Sequence, residues 1–169
     1  MLKKYARHYK TDEVIPDQLL AKLFAARNFN LGFDTIEYTA CALLDQTIHQ
    51  IPPEELVDLD IGVFEKNEMQ RLGMPEGIIL RHRPAHFGHL FSGSSYASAY
   101  YVYLWAEVLD ADGFDAFKET GDPFDQATAA RVRKFVYSSG NSLDPREAYR
   151  LFRGRHPVVE PMLRKKGLM

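Results

Sequence analysis

The stretch Phe87–Trp105, FGHLFSGSSYASAYYVYLW, decides how the rest of the chain is read. Its first half, Phe87 to Ser95, holds His89, Gly93, Ser92, Ser94 and Ser95, a composition that favours a mobile loop. From Tyr96 onward no charged residue occurs until Glu107, and the pattern predicts a helix. At about 100° per residue, Tyr96, Tyr100, Tyr103 and Glu107 share one helical face. Ala97, Tyr101, Leu104 and Val108 make a second face, and Val102, Trp105 and Leu109 a third. A helix apolar nearly all round belongs inside a larger body. The phenol face is the exception, because a buried hydroxyl needs a hydrogen-bond partner. Tyrosines at this spacing commonly serve core packing, and a histidine ahead of a helix commonly caps it. Phe would pack as well with no hydroxyl to satisfy, and the chain uses 11 of them elsewhere and here. The phenols, His89 and the Gly/Ser loop together therefore form a candidate site.

Outward from this stretch the pattern is helical. Residues 1–14 read as polar and irregular. Pro16-Asp17 opens a helix with Leu19, Leu20, Leu23 and Phe24 at helical spacing, and Asp17 suits its positive end. A second helix over residues 33–50 places Phe33, Ile36, Ala40, Leu43, Leu44 and Ile48 on one stripe, ended by Pro52-Pro53. Glu54-Glu55 starts a short piece, and Ile61 to Leu72 is a weaker amphipathic helix stopped by Gly73 and Pro75. Residues 73–95 read as a long loop, with Gly77 to Leu80 open to a brief strand, and long loops in compact domains tend to be functional. Gly113 and Gly121 punctuate a short segment after the tyrosines. Asp122-Pro123 and Asp144-Pro145 look like helix starts, with Gly140 and Gly154 as the matching stops. Pro157 opens a last helix that ends at Gly167. No internal repeat appears. The expected fold is all-α, a single multi-helix domain spanning residues 1–169.

Composition narrows the function classes. A 169-residue chain can bury about 70% of its unfolded surface. A net charge of −2 without a long basic block argues against nucleic acid as a partner. Arg164, Lys165 and Lys166 read as a solvated helix end. Cys41 is the single cysteine, which excludes an internal disulfide and fits a reducing compartment. No apolar run approaches the roughly eighteen residues of a membrane span, and MLKKYARHYK lacks the apolar core of a secretory signal. The expectation is a cytoplasmic chain with no membrane partner.

Several chemistries are weak here. His82, His86 and His89 form an H-x3-H-x2-H series, but Pro84 opposes the helix that would align them, and no carboxylate stands beside them as a base. No metal site is expected. The serines near His89 lack the G-x-S-x-G elbow of a hydrolase nucleophile, and no phosphate-binding loop is present. The phenols suit a different task. A tyrosine with an ordinary pKa of about 10 stays protonated at neutral pH and can donate to a developing oxyanion.

The whole stretch, F-x-H-L-F-x-G-x-x-Y-x-x-x-Y-Y-x-Y-L-W, resembles the substrate-binding segment of the thimet oligopeptidase and peptidyl-dipeptidase family of zinc metallopeptidases. The resemblance continues through SSGNSLDPREAYRLFRGRHP and PMLRKKGL, and back through RHYKTDEVIPDQLLAKLFAARNFN and IEYTACALL. It implies that Tyr103 and Tyr96 face the scissile carbonyl of an oligopeptide substrate and that His89 hydrogen-bonds the substrate backbone or intermediate. It further implies that Tyr100 lines the cleft and that the loop around Gly93 closes as a lid. This chain has GSSY where thimet oligopeptidases carry a GGY run. It also has no H-E-x-x-H helix, the family's source of two zinc ligands and the general base.

The resemblance therefore implies the C-terminal portion of a larger zincin-type helical peptidase, inactive without an N-terminal catalytic part that carries the zinc. The chain would be a piece of a longer polypeptide or the product of a split gene. The alternative is a self-standing, non-catalytic helical peptide-binding module. A purely structural oligomerisation piece leaves the phenol face without a purpose.

Overall fold

Aspartates set three of the helix starts. Asp60 accepts from the Gly62 and Val63 amides at 2.9 and 3.0 Å, Asp125 from Thr128 at 2.7 Å, and Asp144 from Arg146 and Glu147 at 3.0 and 3.1 Å. Each bond satisfies an amide that the first helical turn leaves without a partner. The computed structural model describes residues 2–169 and is all-α. The helices are α1 (Leu2–Tyr5), α2 (Asp17–Arg27), α3 (Leu31–Ile48), α4 (Pro53–Leu56), α5 (Ile61–Arg71), α6 (Val102–Thr120), α7 (Gln126–Val132), α8 (Pro145–Arg153) and α9 (Glu160–Lys166). A 3₁₀ turn covers Gly88–Phe91, and α7 runs on into a π-turn, Arg133–Tyr137. Among the described residues the one β feature is an isolated bridge between Arg7 and Val14.

The apolar interior is divided into three clusters. Ala40, Cys41 and Leu44 of α3 meet Met69 of α5 and Leu80 of the following loop, with Tyr100 against their edge. Val108 and Ala111 of α6 meet Met162 of α9. Ala116 of α6 meets Tyr149 and Phe152 of α8. Helix α6 thus serves two clusters and is the long beam of the domain. Helix α2 buries no residue, and Leu19, Leu23 and Phe24 stand exposed on it.

Several expectations change. The helix predicted from Tyr96 begins at Val102. Gly113 lies inside α6, where a Cβ would stand 3.4 Å from the Phe152 ring, so the glycine permits close approach of α8. Asp122 caps only a local turn, accepting from Phe124 at 2.8 Å, and the helix is capped three residues later by Asp125 and starts at Gln126. The last helix starts at Glu160, because the chain after Gly154 first crosses α6 to deliver Arg155 to Asp112. The Arg164–Lys166 cluster ends its helix with Arg164 and Lys165 exposed, as read, but all three cations have acidic partners on α6. Arg164 pairs with Asp115 at 3.1 Å, Lys165 with Asp110 at 2.8 Å and Lys166 with Glu107 at 2.8 Å, which fastens α9 along α6. Residues 77–80 form no strand.

Asp112 joins α6 to α8. It is 0% exposed, accepts from the Tyr149 hydroxyl at 2.6 Å, and pairs with Arg155 at 2.5 Å. Burial, reinforced by the adjacent carboxylate, pushes the Tyr149 phenol far above its ordinary range, so it remains a donor. Arg153, bonded to the Asp112 carbonyl at 3.1 Å, extends the network to Glu119. Removing one partner of a buried ion pair strands the other charge. Asp112→Ala is expected to lower stability by about 3–5 kcal/mol, and Tyr149→Phe by only about 1–3 kcal/mol, since Arg155 still satisfies the carboxylate. Thermal melts of both variants check this ordering; equal losses would place the energy in packing of the Tyr149 ring instead.

Candidate functional site

The tyrosine segment is not helical before Val102 because a left-handed residue interrupts it. Ser98 takes φ +59°, a conformation an L-residue adopts only with support. Residues 93–101 form successive turns, with the Tyr96 amide bonded to the Gly93 carbonyl at 3.0 Å and the Ala99 amide to the Tyr96 carbonyl at 3.2 Å. The support comes from α3. Asp45, at 0% exposure, accepts from the Ser98 amide at 3.1 Å and the Tyr100 amide at 2.9 Å. Gln46 donates to the Ser98 carbonyl and Tyr38 to the Tyr100 carbonyl. Inward-facing polar side chains of one helix therefore replace the helical bonds that residues 98–100 forgo.

The loop before this turn is also anchored. Leu90 is buried, the Ser92 hydroxyl donates to the Gly88 carbonyl at 2.8 Å, and Arg83 Nε donates to both carboxylate oxygens of buried Glu65 of α5 at 2.8 and 3.1 Å. The stretch 87–91 is thus a packed 3₁₀ turn and not a free loop. Gly93, at φ +157° with no atom within 4 Å of a Cβ position, marks the open part that follows.

Aromatic rings connect the two segments. His82 stacks on Phe87 with ring centroids 4.3 Å apart, Phe87 meets the edge of Tyr100 at 5.0 Å, and Tyr100 meets Tyr38 at 4.9 Å. Phe87 also stacks with His89 at 5.7 Å, and the His89 ring stands edge-on to Tyr96 at 4.5 Å.

Of the predicted residues, His89 and Tyr96 are brought together directly, both reaching solvent. Tyr100 lies behind them, half-buried, and burial pushes its phenol above its ordinary range. Burial does the same for Tyr38. Tyr103 does not share a helical face with Tyr96 and Tyr100, because the helix starts after them. It lies on the first turn of α6, 63% exposed, in a cleft of about 320 Å³ with Tyr38, Glu107 and Lys166. Among the described residues neither the Tyr103 nor the Tyr96 hydroxyl has a hydrogen-bond partner, so both are available as donors.

A roomier cavity of about 700 Å³ lies between α6 and α8, lined by Trp105, Phe135, Leu143 and Tyr149, and holds none of these residues. Among the described residues no group of three or more His, Cys, Asp or Glu side chains is disposed to hold a metal ion. His82 and His89 are turned to Phe87 as ring partners, and that donor set does not fit zinc.

Asp45 and His49 belong to no motif, and the apolar stripe read for their helix passes over them. The signal was present: Asp45 stands four residues after Cys41 and three before Ile48, on the face of α3 that is buried. The predicted stripe was correspondingly off, since Phe33, Ile36 and Leu43 are exposed and Cys41 and Asp45 face inward.

Residues 1–168 match the family model described as peptidase family M3. The chain is 36% identical over 167 residues to the dipeptidyl carboxypeptidase of Escherichia coli, a match covering 98% of this chain and 24% of that protein. It is 37% identical over 175 residues to organellar oligopeptidase A of Arabidopsis thaliana, covering 99% of this chain and 21% of that protein. Against oligopeptidase A of Haemophilus influenzae it is 32% identical over 162 residues, covering 96% and 23%. The chain spans about a quarter of the length of the curated relatives it matches. With its FGHLF turn, Asp45-supported tyrosine turn and all-helical frame lying within the matched residues, the chain belongs to peptidase family M3.

Proposed function

We propose that these residues form the substrate side of an oligopeptide-hydrolysing metallopeptidase. His89 and Tyr96 donate to the peptide backbone or to the oxyanion, Tyr103 donates to the oxyanion, and Tyr100 and Gly93 border the bound peptide. The observation that carries this is an exposed, unpartnered phenol, Tyr96, against the His89 imidazole on backbone held by buried polar contacts, with a second exposed, unpartnered phenol, Tyr103, in the separate cleft on α6. Donors fixed before the reaction need no reorganisation when charge develops, which is where such groups act most strongly. Turns clamped to α3 meet that condition better than a free loop would.

The zinc expected from the family resemblance has no fitting ligand set among the described residues; on this proposal its ligands and the general base come from a segment outside the 169 residues. A second reading, a peptide-binding module without catalysis, is favoured by that same lack of ligands. Dialysed against metal-free buffer and then offered zinc, the isolated chain is expected to retain no stoichiometric metal and to leave peptides uncut. One tightly held zinc per chain with chelator-sensitive hydrolysis would contradict this.

The two readings separate in a chimaera in which this chain replaces the matching quarter of the Escherichia coli dipeptidyl carboxypeptidase. Peptide hydrolysis is expected, and Tyr103→Phe in the chimaera should cost about 10²–10³ in kcat with KM little changed. The Tyr103 hydroxyl bonds to no described residue, so the variant should melt with the parent. A folded, zinc-loaded chimaera without activity, or a Tyr103→Phe form with full kcat, would favour the binding module or remove Tyr103 from the chemistry.

A further inference from the structure

Helix α3 carries a polar cluster that the donor assignment leaves unused. Every neighbour of the Asp45 carboxylate is a donor: the Ser98 amide at 3.1 Å, the Tyr100 amide at 2.9 Å and His49 Nδ1 at 2.9 Å. Nδ1 also lies 2.9 Å from the Asp45 carbonyl oxygen, so it faces two acceptors and carries the ring proton. The His49 ring packs on Phe91 with centroids 5.5 Å apart. Phe91 closes the 3₁₀ turn that bears His89.

One buried carboxylate therefore reaches both segments whose side chains meet in the candidate site. It holds the Tyr96–Tyr100 turn directly through two main-chain amides. It reaches the His89 turn through His49 and Phe91. Gln46 and Tyr38 complete the hold on residues 98–100 by donating to the Ser98 and Tyr100 carbonyls. Stability alone is a poor reason for such a residue, because a buried carboxylate costs desolvation that an apolar side chain on the same face avoids. The cost is repaid only if the backbone it shapes is needed, and that backbone includes a left-handed Ser98.

We propose that Asp45, with Gln46 and Tyr38, is a positioning residue that sets the Gly88–Phe91 turn and the Ser98–Tyr100 turn in the register that brings Tyr96 against His89. Its consequence for catalysis rests on the donor reading given above; the structural assignment does not. Asp45→Asn keeps the shape of the side chain but turns an N–H₂ group toward one of the two amides, which then loses its acceptor. In the ¹⁵N-labelled chain, amide exchange at Ser98 and Tyr100 is expected to quicken about 10- to 100-fold, while α8 amides stay unchanged. The His89 ring resonances should move toward those of a solvated histidine as Tyr96 leaves. Adding Ser98→Gly to Asp45→Asn should restore part of both signals, because glycine takes positive φ without strain.

Exchange that quickens evenly over the turn, α3 and α6, with His89 unmoved, would reduce Asp45 to a core stabiliser and overturn the proposal. Should Asp45→Asn fail to fold, Tyr38→Phe with Gln46→Ala removes the other two contacts and spares the carboxylate. Faster exchange confined to residues 98–100 is then expected, and unchanged exchange there overturns the proposal. In the chimaera, Asp45→Asn should lower kcat more than it changes KM. Local signals that move while activity holds would support the positioning role and count against the donor assignment, so the two failures are distinct.

Discussion

A fully buried carboxylate on α3 is the contact on which the geometry of the site depends. Two main-chain amides separated by one residue converge on Asp45, and such convergence is incompatible with a helix through Ser98. The same contact therefore ends one conformation and imposes another. Without it the segment from Tyr96 would be free to join α6, and Tyr96 would be carried away from His89. The aromatic chain from Tyr38 through Tyr100 and Phe87 to His89 fills the space the turn creates. Packing and hydrogen bonding thus support the same arrangement.

The far end of α6 uses the same device for a different purpose. Asp112 is also a buried aspartate on an apolar helix face, but its partners are side chains of α8 and the crossing segment. It fixes one helix to another and shapes no turn. Asp112 thus ties α6 to α8, while Asp45 holds the turn that leads into the first residues of α6. The exposed apolar face of α2 and the wide cavity between α6 and α8 show that this body does not bury all its own apolar surface.

Much of the fold was legible because proline, glycine and aspartate punctuate it strongly. The α3, α5 and α8 boundaries fall within two residues of those read from the sequence. The tyrosine helix is misread for a physical reason: an uncharged run rich in Tyr and Ala satisfies the helical pattern, and nothing local announces that an amide must turn toward an aspartate over fifty residues away. Gly113 was misread as a breaker because its role, admitting Phe152, is tertiary. The basic C-terminal cluster is exposed as its composition implies, while its pairing with Glu107, Asp110 and Asp115 of α6 is tertiary and leaves no local signal. In the site, His89, Tyr96, Tyr100 and Tyr103 could be picked out by composition and family resemblance, whereas their division into two groups could not. Asp45 belongs to no motif, and the apolar stripe read for its helix passes over it.

The claim that these turns face a peptide is tested most directly by titrating the ¹³C,¹⁵N-labelled chain with an unblocked hexapeptide and collecting intermolecular contacts by nuclear magnetic resonance. The account predicts contacts from the peptide backbone to the rings of His89, Tyr96 and Tyr103, with shift changes concentrated in residues 87–105. Peptide contacts confined to the cavity between α6 and α8, at Trp105, Phe135 and Leu143, would contradict it.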